Sequence, residues 1–333
     1  MLVDGTWVEN WQPIQAKDEK GGFVRQISSF RNWVTPDGQP GPAGVGGFQA
    51  EKGRYHLYVA LVCPWASRTL MARSLKGLDD VISVSVLEPF LADQGWRFGD
   101  YPGASRDDLN GAVWIHELYT RADPHYTGRA TVPVLWDRQR KTIVNNESAD
   151  IVRMFNSGFR AFASSAYDLY PQNLCHEIDS LNSRIYPRLN NGVYRAGFAT
   201  TQQAYEEAFA DVFGMLDELE QRLADSDTNW LVGNTLTEAD IRLFVTLVRF
   251  DAAYNGLFKC NLRRLADYPA LSRYLERVLA VPGVAGTVNL DHIKQGYYSI
   301  KALNPNGIVP AGPLLRWSHG LPGDIAAQTK DFI

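Results

Sequence analysis

The stretch Leu57–Leu70, LYVALVCPWASRTL, reads as a buried strand that stops at a cysteine followed at once by proline, with a helix behind it. With Cys63 at the helix N-cap, Pro64 takes the first helical position, where its missing N–H costs nothing and its fixed φ suits the helix. The thiol then faces unpaired amides and the positive end of the helix dipole. Both favour thiolate over thiol, and such positions lower a cysteine pKa from about 8.5 toward roughly 3.5–7.5. An isolated cysteine is ordinarily a buried, inert one. Pro64 and the elements around it turn the reading toward a reactive thiol.

Outward from this corner, RYHLYVALV has strand character, WASRTLMARSLKG is a helix closed by Gly77, and VISVSVL is a second β-branched strand. This is a β-α-β unit with Cys63 between its first two elements. After a loop-like insertion over roughly 88–128, TVPVLWD and KTIVNN read as a hairpin and ESADIVRMFN opens a helix. A β-α-β unit followed by a hairpin and a helix is the thioredoxin-like plan. After Tyr170 the pattern is helical. LTEADIRLFVTLVRF opens with Thr237 three residues before Asp240, an acidic form of the capping box, and YPALSRYLERVLAVPG is an amphipathic helix with a Pro-Gly stop. The expected fold is therefore α/β plus all-α. Residues 1–50, rich in Gly, Pro and aromatics, form an ordered or partly ordered extension without regular structure; 51–157 are the thioredoxin-like domain, 158–290 a helical bundle, and 291–333 an extended arm.

Lys+Arg of 33 against Asp+Glu of 37 leaves a formal charge of −4, with no basic block to track a phosphate backbone, so nucleic acid is not an expected partner. No apolar run approaches the roughly 18 residues of a membrane span, and MLVDGTWVENWQ lacks the form of a signal peptide. A cytoplasmic protein without a membrane partner is expected. Cys63, Cys175 and Cys260 are too few and too scattered for a disulfide framework, and no metal site is expected.

Position 66 is Ala, so the Cys63 motif holds no resolving cysteine. A Cys63 sulfur that attacks a substrate must be released by an outside thiol, and the natural one in the cytosol is glutathione, through a mixed disulfide. Pro133 after Val132 is placed for a cis-proline turn that would offer the Val132 backbone to a peptide-like ligand. NNESAD puts Glu147 and Ser148 at a helix start, where amides and a hydroxyl can hold a carboxylate and Glu147 an ammonium. Together these could bind both ends of a γ-glutamyl group.

At this point the chain resembles the glutathionyl-hydroquinone reductases, the Xi class of glutathione transferases. GGFVRQISSFRNWV resembles the family's N-terminal arm, CPWASR its active-site motif, GWRF its insertion, and RATVPVLWD with NNESADI its glutathione site. YPRLNNGVYRAGFATTQQAY, RFDAAYNGLFKCN, IKQGYY and NPNGIVPAGP match further along. The resemblance implies that Cys63 attacks the sulfur of a glutathionyl-hydroquinone, expels the hydroquinone and leaves a Cys63–glutathione disulfide that a second glutathione resolves. It implies that Trp96, Arg129, Val132, Glu147 and Ser148 bind glutathione. It makes Tyr194 the proton donor or acceptor for the aromatic carbon, with Tyr254 and Tyr297 holding the sulfur as thiolate, and it implies a homodimer. Chemistry agrees, since expelling an aryl carbon from sulfur requires a proton on carbon. Ser67 departs from the His that many relatives carry there. Two other readings stand beside this one: an Omega-like thiol transferase or dehydroascorbate reductase, and a non-catalytic binder of aromatic ligands.

Overall fold

The computed structural model describes residues 1–9, 17–42 and 46–325. Its first elements are two short pairs: the hairpin of β1 (Leu2–Val3) and β2 (Thr6–Trp7), and β3 (Trp33–Thr35) running parallel to β4 (Gly47–Gln49). β5 (Tyr55–Val59) follows, and all five of its residues are buried, as a central strand covered on both faces demands. α1 (Pro64–Leu75) carries the chain over to β6 (Ser83–Val86), which pairs parallel with β5. The insertion then contributes the small hairpin β7 (Leu91–Ala92) and β8 (Gly95–Trp96) and the helix α2 (His116–Ala122), so it is less loop-like than its sequence suggests. β9 (Val134–Asp137) and β10 (Thr142–Asn145) complete a sheet of order β10-β9-β5-β6, and α3 (Ser148–Arg153) runs on into a π-turn over Met154–Gly158. This is the thioredoxin-like arrangement expected from the β-α-β and hairpin pattern.

The strand does not reach Cys63. It ends at Val59, and the Cys63 amide bonds Ala60 O at 2.9 Å, closing a tight turn before the helix. Gly77 does end α1 as expected. Its φ of +62° is the left-handed conformation, and the bonds Gly77 N to Ser74 O and Leu78 N to Arg73 O satisfy the last carbonyls. A Cβ there would also sit 2.0 Å from Ser164 Oγ, so both backbone and space call for glycine.

The chain divides into two compact units. The first holds Met1–Gln12 with Ile27–Tyr167, the second Pro13–Gln26 with Asp168–Ile333. The N-terminal stretch is thus shared between them, and its described residues carry the short strands β1 to β4, regular structure that its Gly and Pro content does not suggest. In the first unit it is tied to the sheet: Asn32 N bonds Val144 O at 3.1 Å, and Arg31 grips Asp150 through two bonds of 2.5 and 3.0 Å.

The second unit is helical, comprising α4 (Cys175–Ile185), α5 (Gly192–Gly197), α6 (Gln202–Ala224), α7 (Glu238–Arg249), α8 (Pro269–Leu279) and α9 (Leu290–Tyr298). π-turns follow α4 and α7, over Tyr186–Asn190 and Phe250–Tyr254. The capping box is formed in both directions, and the carboxylate of Asp240 also accepts from Tyr274 OH at 2.7 Å and Leu231 N at 3.0 Å. One expectation changes here. The tail read as an extended arm begins as helix α9, because Asn289 caps it by accepting from His292 N at 3.0 Å. No helix of the described residues is long and apolar enough to cross a membrane.

Candidate active site

Cys63 stands at the N-cap of α1 in extended conformation (φ −78°, ψ 117°), with Pro64 at the first helical position. Its side chain makes no capping hydrogen bond to the α1 amides, which differs from the simplest sequence reading. Pro64 has no amide to offer, and the half-buried thiol instead donates to Val132 O at 3.6 Å. The helix dipole still acts on it, since that field is strongest within the first turn. The Val132–Pro133 bond is cis, as the Val-Pro sequence suggested, and Val132 itself is buried. Cys63 and the Val132 backbone are therefore adjacent although 69 residues apart. Ser67, one turn on, is buried and its amide bonds Cys63 O at 3.0 Å. Arg68, also buried, lays its guanidinium 4.5 Å from the centre of the Trp65 ring.

The other first-unit residues lie on segments held by the N-terminal stretch. Glu147 is the N-cap of α3: Oε1 accepts from Ala149 N at 3.2 Å and Oε2 from Ser28 Oγ at 2.9 Å. Ser148 is 2% exposed, and its Oγ donates to Glu147 Oε1 at 3.4 Å. Phe30 pairs with Asn146 through bonds of 3.1 Å in each direction, the Asn146 side chain accepting in one of them. Arg129 follows Gly128, which bridges to Leu2 by two backbone bonds of 3.0 Å, and its carbonyl accepts from Tyr126 OH at 3.0 Å. Trp96 closes the β7–β8 hairpin, half-buried, with its carbonyl accepting from Ile115 N at 3.0 Å. Sequence reasoning missed Ser28 and the Leu2 bridge. No local pattern marks either, because each acts across more than 100 residues.

In the second unit the three tyrosines come together. Tyr194 OH and Tyr297 OH are 2.6 Å apart, and Tyr297 OH and Tyr254 OH 2.8 Å, so the Tyr297 hydroxyl links the other two into a phenol chain, in which Tyr254 also interacts with Tyr194. α5, α9 and the π-turn after α7 supply one residue each. Tyr254 and Tyr297 are buried, and burial pushes both phenols well above their ordinary range, with Arg249 opposing the rise. They stay protonated at any physiological pH. Tyr194 is the half-buried end, packed edge-on to Phe258. Phe258 also lies against Gly197, where a Cβ would stand 2.4 Å from the ring, so glycine is what lets this aromatic wall close. Chemically, such a chain can share or pass a proton while keeping each hydroxyl bonded.

Comparison with known proteins bears on both units. The family profile described as "Glutathione S-transferase, N-terminal domain" matches residues 62–157, and that described as "Glutathione S-transferase, C-terminal domain" matches 202–277. The chain is 54% identical over 314 residues to the glutathionyl-hydroquinone reductase YqjG of Escherichia coli, covering 94% of each chain. It is 49% identical over 324 residues to the glutathionyl-hydroquinone reductase PcpF of Sphingobium chlorophenolicum, covering 97% of this chain and 98% of that one. Among solved structures, glutathione-bound YqjG superposes with a TM-score of 0.87 at 50% identity, covering 97% of both chains. The Xi-class transferase of Natrialba magadii gives 0.86 at 45% identity, covering 97% of this chain and 96% of that one. Likeness of this extent runs through nearly the whole chain, and the chain belongs to the glutathionyl-hydroquinone reductases, the Xi-class enzymes of the glutathione transferase superfamily.

Proposed function

We propose that this enzyme reduces glutathionyl-hydroquinones with glutathione, through a Cys63–glutathione mixed disulfide. The observation that carries the reading is Cys63 at the N-cap of α1 beside Val132 O. A thiol there has the helix dipole to favour its thiolate and a backbone edge to align a peptide-like thiol with it. The Cys63 thiolate attacks the glutathione sulfur of the substrate. A disulfide forms, the aryl carbon–sulfur bond breaks, and its electron pair goes to the aryl carbon, which takes a proton from Tyr194. A second glutathione then attacks the mixed disulfide, giving oxidised glutathione and free Cys63, while the proton of its thiol restores Tyr194. Two glutathione sulfurs are oxidised and one aryl carbon is reduced.

Glutathione is held by Trp96, Arg129, the Val132 backbone, Glu147 and Ser148. Glu147 has a carboxylate suited to the γ-glutamyl ammonium, and its own capping bonds fix where that carboxylate points. Before the attack, Tyr254 and Tyr297 serve the Cys63 thiolate as hydrogen-bond donors, a role their protonated state suits; once the sulfur is in the disulfide, the Tyr297 proton turns to Tyr194. The working form is a homodimer in the cytoplasm.

The test is mass spectrometry after incubation with glutathionyl-menadiol. A glutathione adduct on Cys63 and loss of turnover in Cys63→Ala, with glutathione affinity retained, are expected. Cys63→Ala activity within about tenfold of wild type would overturn the assignment, since loss of a covalent nucleophile costs far more.

A further inference from the structure

The segment Gly21–Gln26, GGFVRQ, has no part in the chemistry above, yet it is built into the wall of the phenol chain. Gly21 O accepts from Thr200 N at 3.1 Å, and Lys20 O accepts from Thr201 Oγ1 at 2.7 Å, which pins the segment to the start of α6. Phe23 is buried, its ring 5.7 Å from that of Phe198 and 6.4 Å from that of Tyr194. Arg25 Nε donates to Asn191 Oδ1 at 2.9 Å. That bond places the guanidinium 4.8 Å from the centre of the Tyr194 ring and 5.2 Å from that of Phe23.

We infer that Arg25 is a positioning residue for Tyr194: held by Asn191, it fixes the ring and stabilises the phenolate that remains after Tyr194 gives its proton to the aryl carbon. This rests on the reading of Tyr194 as the acid. A cation at a phenol ring favours the charged form by Coulomb attraction and holds the ring through its quadrupole. The rest of the chain directs the charge to the same place. Tyr254 and Tyr297 are buried and hold their protons, so the negative charge rests on Tyr194, with Tyr297 donating to it from one side and Arg25 lying over its ring. Arg249 is a further charged group bearing on the cluster, and it acts on Tyr254 and Tyr297.

The experiment compares an aryl substrate, glutathionyl-menadiol, with hydroxyethyl disulfide, whose sulfur leaving group needs little help from an acid. Arg25→Met is expected to lower kcat on the aryl substrate by about tenfold with KM unchanged, the effect of a favourable cation contact of this kind. Disulfide turnover should be unchanged, which also reports correct folding. Arg25→Lys should recover part of the loss, because it restores the charge without the Asn191 geometry. Because Arg25 acts through Tyr194, the double variant Arg25→Met with Tyr194→Phe should be no slower than Tyr194→Phe alone. Equal loss on both substrates, or a double variant slowed by the product of the single effects, overturns the inference. If Tyr194→Phe is slow on the aryl substrate and Arg25→Met is not, the Arg25 inference alone falls. If Tyr194→Phe keeps full aryl turnover, the acid assignment falls and takes Arg25 with it.

Discussion

Replacing Asp240 by Ala should cost the helical unit a large part of its stability, and the structure says why. Asp240 is fully buried. One carboxylate oxygen accepts from Leu231 N at 3.0 Å and Tyr274 OH at 2.7 Å, the other from Thr237 N at 2.8 Å and Thr237 Oγ1 at 3.1 Å. The Thr237 hydroxyl can turn elsewhere, but the two amides and the Tyr274 hydroxyl cannot leave the interior. An orphaned buried donor costs about 1–3 kcal/mol, so the gross loss is at least about 3 kcal/mol. Burial works in the opposite direction, since it penalises the charged carboxylate and raises the Asp240 pKa, and Ala relieves that penalty. The net expectation is about 3–4 kcal/mol, a sizeable part of the roughly 5–15 kcal/mol that holds a domain folded. In guanidinium unfolding followed by circular dichroism this is a fall of about 1 M in midpoint at unchanged slope. Asp240→Asn keeps one acceptor and turns an NH2 toward the other donors, so it should lose about half as much. Asn as costly as Ala, or an Ala midpoint within about 0.3 M of wild type, would show that these contacts are not what holds α7, whose far end leads into the π-turn bearing Tyr254.

Three further outcomes are expected. His56 is buried between Ser83 and Ser85, and burial pushes it down to about 4 from 6.5. The folded chain therefore binds fewer protons than the unfolded one between those values, so stability falls as pH drops through that window and levels off below it. About 3 kcal/mol of acid lability should disappear in His56→Gln, and an identical pH slope in that variant would refute it. Glu147→Gln keeps an oxygen for the Ala149 cap but loses the charge, so calorimetry should show weaker glutathione binding at nearly unchanged stability; Glu147→Ala should lose both, with about 1 kcal/mol of stability gone. Unchanged binding in both variants would leave Glu147 only a helix cap. Tyr254→Phe or Tyr297→Phe should raise the pH at which iodoacetamide alkylates Cys63, while Tyr194→Phe should leave that midpoint in place and slow hydroquinone release by about 10²–10⁴-fold.

Where short-range rules decide the outcome, the sequence determined it alone. Cys63-Pro64 specified an N-cap and a first helical turn because proline allows little else there, Gly77 specified a left-handed stop, and Thr237 with Asp240 specified a helix start. The order strand, helix, strand, hairpin, helix was legible from periodicity, and with it the thioredoxin-like plan. Tertiary structure decided whatever depends on partners distant in the chain. The strand before Cys63 ends at Val59 because the Cys63 amide turns back to Ala60, a choice between two sterically allowed conformations that composition cannot make. The thiol meets Val132 rather than its own helix amides because β9 lies beside β5. The Gly-rich N-terminal stretch reads as an extension without regular structure because its order comes from bonds such as Ser28 to Glu147 and Arg25 to Asn191, each spanning more than 100 residues. The tyrosines could be marked individually by their motifs, but their union into one phenol chain needed α5, α9 and a π-turn to converge. Local chemistry fixes which residue can react, whereas its hydrogen-bond partners are set only when the chain has folded.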